Sequence, residues 1–302
     1  MSAEPTPTGS SSANSVARSV IILLIVLALA ALIAWAGSQN GAEMNGLPLF
    51  AVLVVGIFLI QVIAFIPAWF KQTEHYYDLT GSITYILTAL LAVMLSGHTD
   101  LTAVLLMLVV LIWAGRLGPF LFLRVRKSGG DDRFDEIKPN FMRFLNVWII
   151  QGLWIAVTGA TAFTAITALD RPETSVLTFF GIGLWVIGFA FEVTADNQKS
   201  AFKADPSNHG KFISTGLWSR SRHPNYFGEI VLWIGVAIAA FPALSGWQYA
   251  TLISPVFVVV LLTRISGVPM LERKAEAKWG GQADYEAYKS STPTLIPSFT
   301  KK

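Results

Sequence analysis

The chain has 302 residues, 53% of them hydrophobic and only 14% charged, with a net charge of +3; its mean hydropathy is +0.56. An ordinary soluble domain is about 25% charged, so this chain lacks the polar side chains to cover a surface in water, which all but excludes a cytosolic enzyme, a disordered scaffold or a nucleic-acid-binding domain. It has no cysteine, which removes disulfides, thiolate metal sites and cysteine nucleophiles, and its four histidines show no metal-ligand spacing.

Residues 2–17 are rich in Ser, Thr, Pro, Asn and Gly without an apolar period, so a disordered tail is expected over 1–18. Apolar runs follow at 19–36, 48–70, 81–97, 101–123, 147–169, 175–195, 226–241 and 248–265. A spanning helix needs roughly 17–25 apolar residues. The first run meets this and 226–241 is short, giving about eight spans in an all-α polytopic membrane helix bundle. Arg18 followed by an apolar stretch ending in Ala34-Trp35-Ala36 also has the outline of a cleaved signal. The stretch exceeds the ~7–15 residues of a signal core, which favours a retained helix.

The distribution of basic residues tests this count. With eight spans, Arg18, Lys71, Arg124, Arg126, Lys127, Arg133, Lys138, Arg143, Lys199, Lys203, Lys211, Arg220, Arg222 and the tail from Arg273 onward fall on one side; only Arg171 falls on the other. By the positive-inside rule both termini are cytoplasmic, consistent with a multi-pass protein of a bacterial inner membrane. No internal repeat is visible. In the tail, Val268, Leu271, Ala275 and Trp279 share one helical face, as in a helix lying at the membrane surface or folded back over the bundle mouth.

Ionisable residues at membrane depth are costly and usually face a cavity or a partner. Arg116, Glu192, Glu229 and Arg264 are the candidates, all toward cytoplasmic helix ends; Arg116 and Arg264 could instead snorkel to the headgroups. Glu192, Asp196, Lys199 and Lys203 form one stripe. On spacing alone it fits a salt-bridged helix end better than a wall for an anionic, hydroxylated ligand. The strongest local signal is GLWSRSRHPNYFGEI at 216–230. Arg220, Arg222 and His223 offer charge-assisted donors suited to phosphate oxygens. Pro224 sets the chain direction, Asn225 is placed to cap the helix that follows, and a helix N-terminus beside arginines is an anion site. Glu229 lies one turn beyond Asn225. Contact with anionic membrane lipid is the competing reading, but it does not require His-Pro-Asn-Tyr or a buried Glu.

SRHPNYFGE (221–229) resembles the signature of the membrane-embedded steroid 5-alpha-reductase and sterol reductase family. Arg264, LERKAEAKWG (271–280), Tyr285-Glu-Ala-Tyr288 and Thr294-Leu-Ile-Pro297 resemble that family's C-terminal end, with DNQKSAFK (196–203) upstream. TEHYYDLTGS (73–82) and RFDEIKPNFMRFLNVWIIQ (133–151) look typical of the bacterial and plant subgroup with a steroid 5-alpha-reductase C-terminal-type domain. The resemblance implies an extra N-terminal transmembrane helix (19–47) before a membrane domain (48–302), a seven-helix core, and a cofactor-binding half at 175–300. It implies NADPH held from the cytoplasmic side and a lipophilic small-molecule substrate entering from the bilayer. Carried over by position, Asp196 and Asn225 bind the cofactor, Lys203 stands where the family has a basic residue, Glu192 stands where an Asn is common, and Arg264 lies near the diphosphate or nicotinamide. With Arg220, Arg222, His223, Tyr226 and Glu229 these make up the expected cofactor set; no metal is expected.

The implied activity is NADPH-dependent reduction of a carbon–carbon double bond of enone type in a steroid- or isoprenoid-like substrate. Charge developing on the carbonyl oxygen must meet a donor. Asp78 falls where the family has a Glu, preceded by Tyr77, and Trp113 falls where the family has a Tyr. A neutral Asp78 could donate the hydrogen bond itself, or Tyr76 or Tyr77 could serve as the acid; Tyr76-Tyr77-Asp78 equally fits an interfacial aromatic belt with a helix cap. An S-adenosylmethionine-dependent membrane methyltransferase of the isoprenylcysteine or phospholipid type shares the Arg-His-Pro-x-Tyr turn. It uses a cofactor without phosphate, which the basic loops do not favour. A non-catalytic lipid-binding membrane protein is the third alternative.

Overall fold

Among the described residues, eight helices are long and apolar enough to cross a membrane: Val16–Ser38, Leu49–Lys71, Tyr77–Ser96, Leu101–Ser128, Phe141–Thr167, Val176–Ala204, Pro224–Ala243 and Gly246–Trp279. The structure, a computed structural model, describes residues 9–299. The protein is thus a multi-pass helical membrane protein with the eight spans expected. Its helices are α1 Gly9–Ser38, α2 Leu49–Lys71, α3 Tyr77–Ser96, α4 Leu101–Ser128, α5 Phe141–Thr167, α6 Val176–Ala204, α7 Pro224–Ala240, α8 Ile253–Val260, α9 Val268–Trp279 and α10 Ala283–Ser291.

The differences from expectation sit at helix ends. Residues 1–8 of the tail expected to be disordered lie outside the described residues. From Gly9 the backbone is helical and continues into the first apolar run. Once that run has nucleated a helix, each added residue gains a hydrogen bond at little further entropic cost. Helix α5 starts six residues before its apolar run, because Asn140 accepts from Arg143 N at 3.0 Å and caps it. Asn225 does not cap α7: the helix starts at Pro224, with His223 in the cap position and no side-chain cap bond. Proline's preset φ and missing N–H suit the first helical position, which moves Asn225 inside. A two-residue hairpin, β1 Glu43–Met44 and β2 Leu47–Pro48, joins α1 to α2. Its turn, Asn45-Gly46, has both φ angles positive (53° and 77°), the conformation for which Asn-Gly is favoured.

The chain divides into two compact units. The first comprises Met1–Arg171 and Ala243–Thr251 and holds α1 to α5. Helix α5 is its centre; its Ala, Gly and Thr residues from Ala156 to Thr167 are all buried, so its neighbours approach closely. At one end the chain is tied by Ala42 N to Thr167 O at 2.7 Å and by Arg171, whose guanidinium takes both oxygens of Asp100 at 2.7 Å.

The second unit comprises Pro172–Pro242 and Leu252–Lys302. Its frame is the α6–α7 pair, in which Gly181 and Gly188 face Gly235 and Gly228. A Cβ added at Gly188 would lie 2.5 Å from Leu232 N, and one at Gly228 would lie 2.6 Å from Glu192 N. The two backbones touch, which only glycine permits. After α8 the helix widens into a π-turn at Leu261–Ile265 and breaks at Ser266-Gly267. A Cβ at Gly267 would lie 2.9 Å from the Tyr226 ring and 2.6 Å from Leu262 O. The break turns the chain into α9, whose Glu272 meets Arg222 and His223 of the same unit.

Candidate functional site

The basic loop that precedes α7 is held from three sides. Gln198 of α6 accepts from Leu217 N at 2.9 Å, and Trp218 Nε1 donates to Ala195 O at 2.9 Å, fixing the turn at 216–219 against α6. Residues 220–223 run beside 293–298: Arg222 N donates to Pro293 O at 2.9 Å, Ser221 Oγ to Leu295 O at 2.8 Å, and Ser298 N to Arg220 O at 3.0 Å. From α9, Glu272 accepts from Arg222 Nη1 at 2.5 Å and from His223 Nε2 at 2.7 Å. Arg222 Nη2 donates to Thr294 Oγ1 at 2.6 Å, and the His223 ring stacks on Tyr226 with centroids 5.6 Å apart.

These elements enclose a cavity of about 280 Å³ whose walls carry Lys199 and Lys203 of α6, Lys211, Arg222, and Lys274 and Lys278 of α9 against a single acid, Glu272. Phe202, Phe212, Trp218, Trp279, Tyr285 and Tyr288 supply aromatic wall. Phe212 packs on Tyr285, Tyr288 and Trp279 at 5.2, 5.3 and 5.9 Å, and Lys199 Nζ lies 4.4 Å from the Trp218 ring centre. Burial holds the His223 pKa below the ordinary imidazole value, although Glu272 pulls the other way. Burial also pushes the Tyr288 phenol up; its hydroxyl donates to Trp218 O at 2.6 Å. Two nitrogens of these residues, Arg222 Nε and His223 Nδ1, are buried and have no hydrogen-bond partner within the described protein. Leaving such groups unpaired costs about 1–3 kcal/mol each. A cationic, aromatic-walled cavity fits a ligand that combines phosphate oxygens with a planar ring.

Of the expected cofactor residues, Lys203, Arg222 and His223 line this cavity. Tyr226 stacks on the His223 ring. Glu192 and Asp196 are buried on α6. Asn225 and Glu229 are half-buried in the first two turns of α7, and Arg220 is half-buried with its carbonyl held by Ser298. Arg264 is exposed in the π-turn. Sequence reasoning missed Lys211, Lys274, Lys278 and Glu272 as wall residues. The signal available was the pair of i, i+4 lysines at 199/203 and 274/278 on two helices.

Asp78, Tyr77 and Trp113 lie in the first unit. Tyr77 OH donates to Val147 O at 3.0 Å, and its ring sits edge-on to Phe134 and Trp148, each with centroids 5.1 Å away. Tyr76 OH donates to Ala64 O at 3.1 Å. Asp78 occupies the first turn of α3, where a carboxylate is favoured by the helix dipole. The side-chain hydrogen bonds that Arg133 donates to Asp131 raise the Arg133 pKa above its ordinary value against the opposing effect of burial, with Asp131 and Asp78 adding charge attraction. The 129–140 loop that carries Arg133 is clamped by buried Glu74, which pairs with Lys138 Nζ at 2.7 Å and accepts from Asp131 N at 2.9 Å. Trp113 is buried edge-on to Tyr85 of α3, centroids 5.2 Å apart at 87°. A phenol thus stands beside the indole, and it lies seven residues beyond Asp78, on the same helical face.

A family model described as "Protein of unknown function (DUF1295)" matches residues 64–292, beyond α1 and most of α2. The 3-oxo-5-alpha-steroid 4-dehydrogenase 1 of Bos taurus is 31% identical over 70 residues, 23% of this chain and 27% of that protein. The "Probable O-methyltransferase ustE" of Ustilaginoidea virens is also 31% identical over 70 residues, 23% of this chain and 25% of that protein. The chain thus matches about a quarter of the length of each of these relatives. No solved structure matches it. With three quarters of its length covered by the family model, the chain belongs to the DUF1295 family, a steroid 5-alpha-reductase-like group of membrane proteins.

Proposed function

We propose that the protein is an NADPH-dependent membrane reductase that saturates an activated carbon–carbon double bond in a lipophilic, steroid- or isoprenoid-like substrate. The observation that carries the reading is the charge of the cavity: five lysines and Arg222 around one carboxylate, with aromatic wall. Bound there, NADPH would supply a hydride to the electron-poor carbon of the double bond. Lys199, Lys203, Lys211, Lys274 and Lys278 meet phosphate charge, including the 2′-phosphate that distinguishes NADPH from NADH. The aromatic rings offer stacking surface to a base. In the first unit, Asp78 and Tyr85 are the donors to a carbonyl oxygen on which charge develops, and Trp113 packs the Tyr85 ring in place. Tyr77, with its hydroxyl on Val147, anchors α3. The basic loops face the cytoplasm, and the membrane is a bacterial inner membrane.

The similarity to an O-methyltransferase supports a second reading, an S-adenosylmethionine-dependent membrane methyltransferase. A sulfonium cofactor carries no phosphate and brings its own positive charge, which a cavity with this lining repels. Thermal unfolding of the detergent-purified chain tests the choice, because a ligand that binds only the folded state raises the midpoint. NADPH is expected to raise it, NADH less so, and S-adenosylmethionine not at all. A rise with S-adenosylmethionine and none with NADPH would reverse the assignment.

A further inference from the structure

The segment between α4 and α5 is fastened to the start of α3 at two points in step. Buried Glu74 accepts from Asp131 N at 2.9 Å and pairs with Lys138 Nζ at 2.7 Å. Three residues further along on each side, Phe134 is buried edge-on to Tyr77 with centroids 5.1 Å apart, and it joins the cluster of Phe65, Phe144 and Trp148. Around these two points Arg133, Asp135, Glu136 and Pro139 are exposed. The segment begins at Gly129-Gly130, with φ of 82° and 153°, a pair without the Cβ that restricts other residues. Asp78 follows Tyr77 and is among the charges that favour the charged Arg133 guanidinium, so the segment lies over the residue assigned above to the carbonyl oxygen. A buried ion pair is a poor device for stability alone, because apolar packing serves as well, yet losing one partner strands a charge. It holds the segment in one position or lets it go as a whole.

We propose that residues 129–140 form a lid over the first turn of α3, with Phe134 as its plug, Glu74 as its latch and Gly129-Gly130 as its hinge, and that it opens to admit the ring system of the substrate beside Asp78. The admission of substrate rests on the reductase reading above; the lid itself does not. The slot suits an apolar ring because it already holds one: the Phe134 phenyl packs on Tyr77 and Phe144 at 5.1 and 6.4 Å. Its withdrawal leaves an aromatic wall for the incoming ring. Lys138 also pairs with Asp135 of the lid at 3.2 Å, so its charge keeps a partner when it leaves Glu74. A segment held by so few buried groups opens at a free energy below that of global unfolding.

The chain has no cysteine, so an introduced thiol reports opening without background. Ala68, in the cluster that Phe134 closes, and Ala160, in the middle of α5, are both 0% exposed. Labelling by a charged maleimide is timed on the full-length protein for Ala68→Cys and Ala160→Cys, each alone and with Glu74→Gln. Ala68→Cys is expected to label at least tenfold faster than Ala160→Cys, and Glu74→Gln to speed it about tenfold more, since the open population rises when the latch is lost. Equal rates at the two sites, or no acceleration by Glu74→Gln, overturn the lid. Should Glu74→Gln fail to fold, Phe134→Ala removes the plug and leaves the latch, and the same acceleration is expected of it. Admission is tested by bridging Glu74→Cys/Lys138→Cys with a short, reducible cross-linker and following NADPH oxidation with a steroidal enone. Bridging is expected to lower turnover at least tenfold, reduction to restore it, and NADPH affinity to stay as it was. Bridged protein that turns over at the unbridged rate overturns the gate. If the unmodified chain oxidises no NADPH, the reductase reading falls and the gate with it, while the labelling rates still decide the lid.

Discussion

The phenol of Tyr77 ends on the backbone carbonyl of Val147, 3.0 Å away, with Phe134 and Trp148 closing round its ring. That bond joins the start of α3 to α5 and uses the proton that a catalytic tyrosine would have to offer. Removing the hydroxyl in Tyr77→Phe should cost about 1 kcal/mol of stability and change turnover little. Asp78→Asn and Tyr85→Phe should instead lower kcat by about a hundredfold, the lower range for a positioned proton donor, and leave NADPH affinity alone. Steady-state kinetics on the three variants check the assignment. A drop in Tyr77→Phe as deep as in Tyr85→Phe would return the donor role to Tyr77.

Lys203 and Lys278 stand on two different helices of the cavity wall. If both meet phosphate charge, Lys203→Ala and Lys278→Ala should each weaken NADPH by about tenfold and NADH by less, since a single charge-assisted contact is worth roughly 1.5 kcal/mol or more. Binding titrations at low and high salt give a second reading of the same idea, with the variants showing the flatter salt response. Equal losses for NADPH and NADH would place these lysines away from the 2′-phosphate.

The membrane spans were legible because each needs some twenty apolar residues in a row, a signal that survives any error about neighbours. The apolar face of α9 at Leu271, Ala275 and Trp279 was legible for the same local reason, and the Arg222-His223 turn stood out by its residue types. The cavity was not legible. Its walls come from α6, the 211–218 loop, α9 and α10, and nothing in the sequence says that Lys199 and Lys274 face one space. Glu272 read as one more charge on a solvated helix face, because its partners lie about fifty residues upstream. Tyr85 was hidden inside an apolar run. Its nearness to Trp113 follows from the packing of α3 on α4, where Gly118 leaves no room for a Cβ beside Ser82.

Glu74 gives the first unit a pH dependence with a definite sign. Burial alone would raise its pKa, but the Lys138 ion pair and the Asp131 N–H outweigh it and hold the carboxyl below its ordinary value near 4.5. A carboxyl with a depressed folded pKa contributes stability that is complete above the unfolded value and is lost as the pH falls through the folded one. Glu74→Gln should therefore lie below wild type by about 1–3 kcal/mol at pH 7, given a partly exposed partner. The gap should narrow below about pH 4.5 as the wild-type carboxyl protonates. Thermal unfolding from pH 7 to pH 3 reads it, and a gap that stays constant across that range would deny Glu74 its role as the clamp.

The close approach of α6 and α7 makes the strongest stability prediction, and it bears on the site. A Cβ at Gly188 would meet Leu232 N at 2.5 Å and Gly228 O at 2.6 Å, both backbone atoms that cannot move without the helix, whereas a Cβ at Gly183 meets nothing within 4 Å. Gly188→Ala should thus cost about 1–3 kcal/mol through overpacking, while Gly183→Ala should be neutral or slightly stabilising through helix propensity. The consequence extends past stability. The helix that would be pushed away begins at Pro224, directly after the Arg222-His223 pair that Glu272 grips. Prying α7 from α6 should pull that pair from the Lys199 and Lys203 side of the cavity, so NADPH affinity should fall in Gly188→Ala and not in Gly183→Ala. If Gly188→Ala loses stability but binds NADPH as well as wild type, the cavity owes its shape to the α9 clasp and not to the glycine contact.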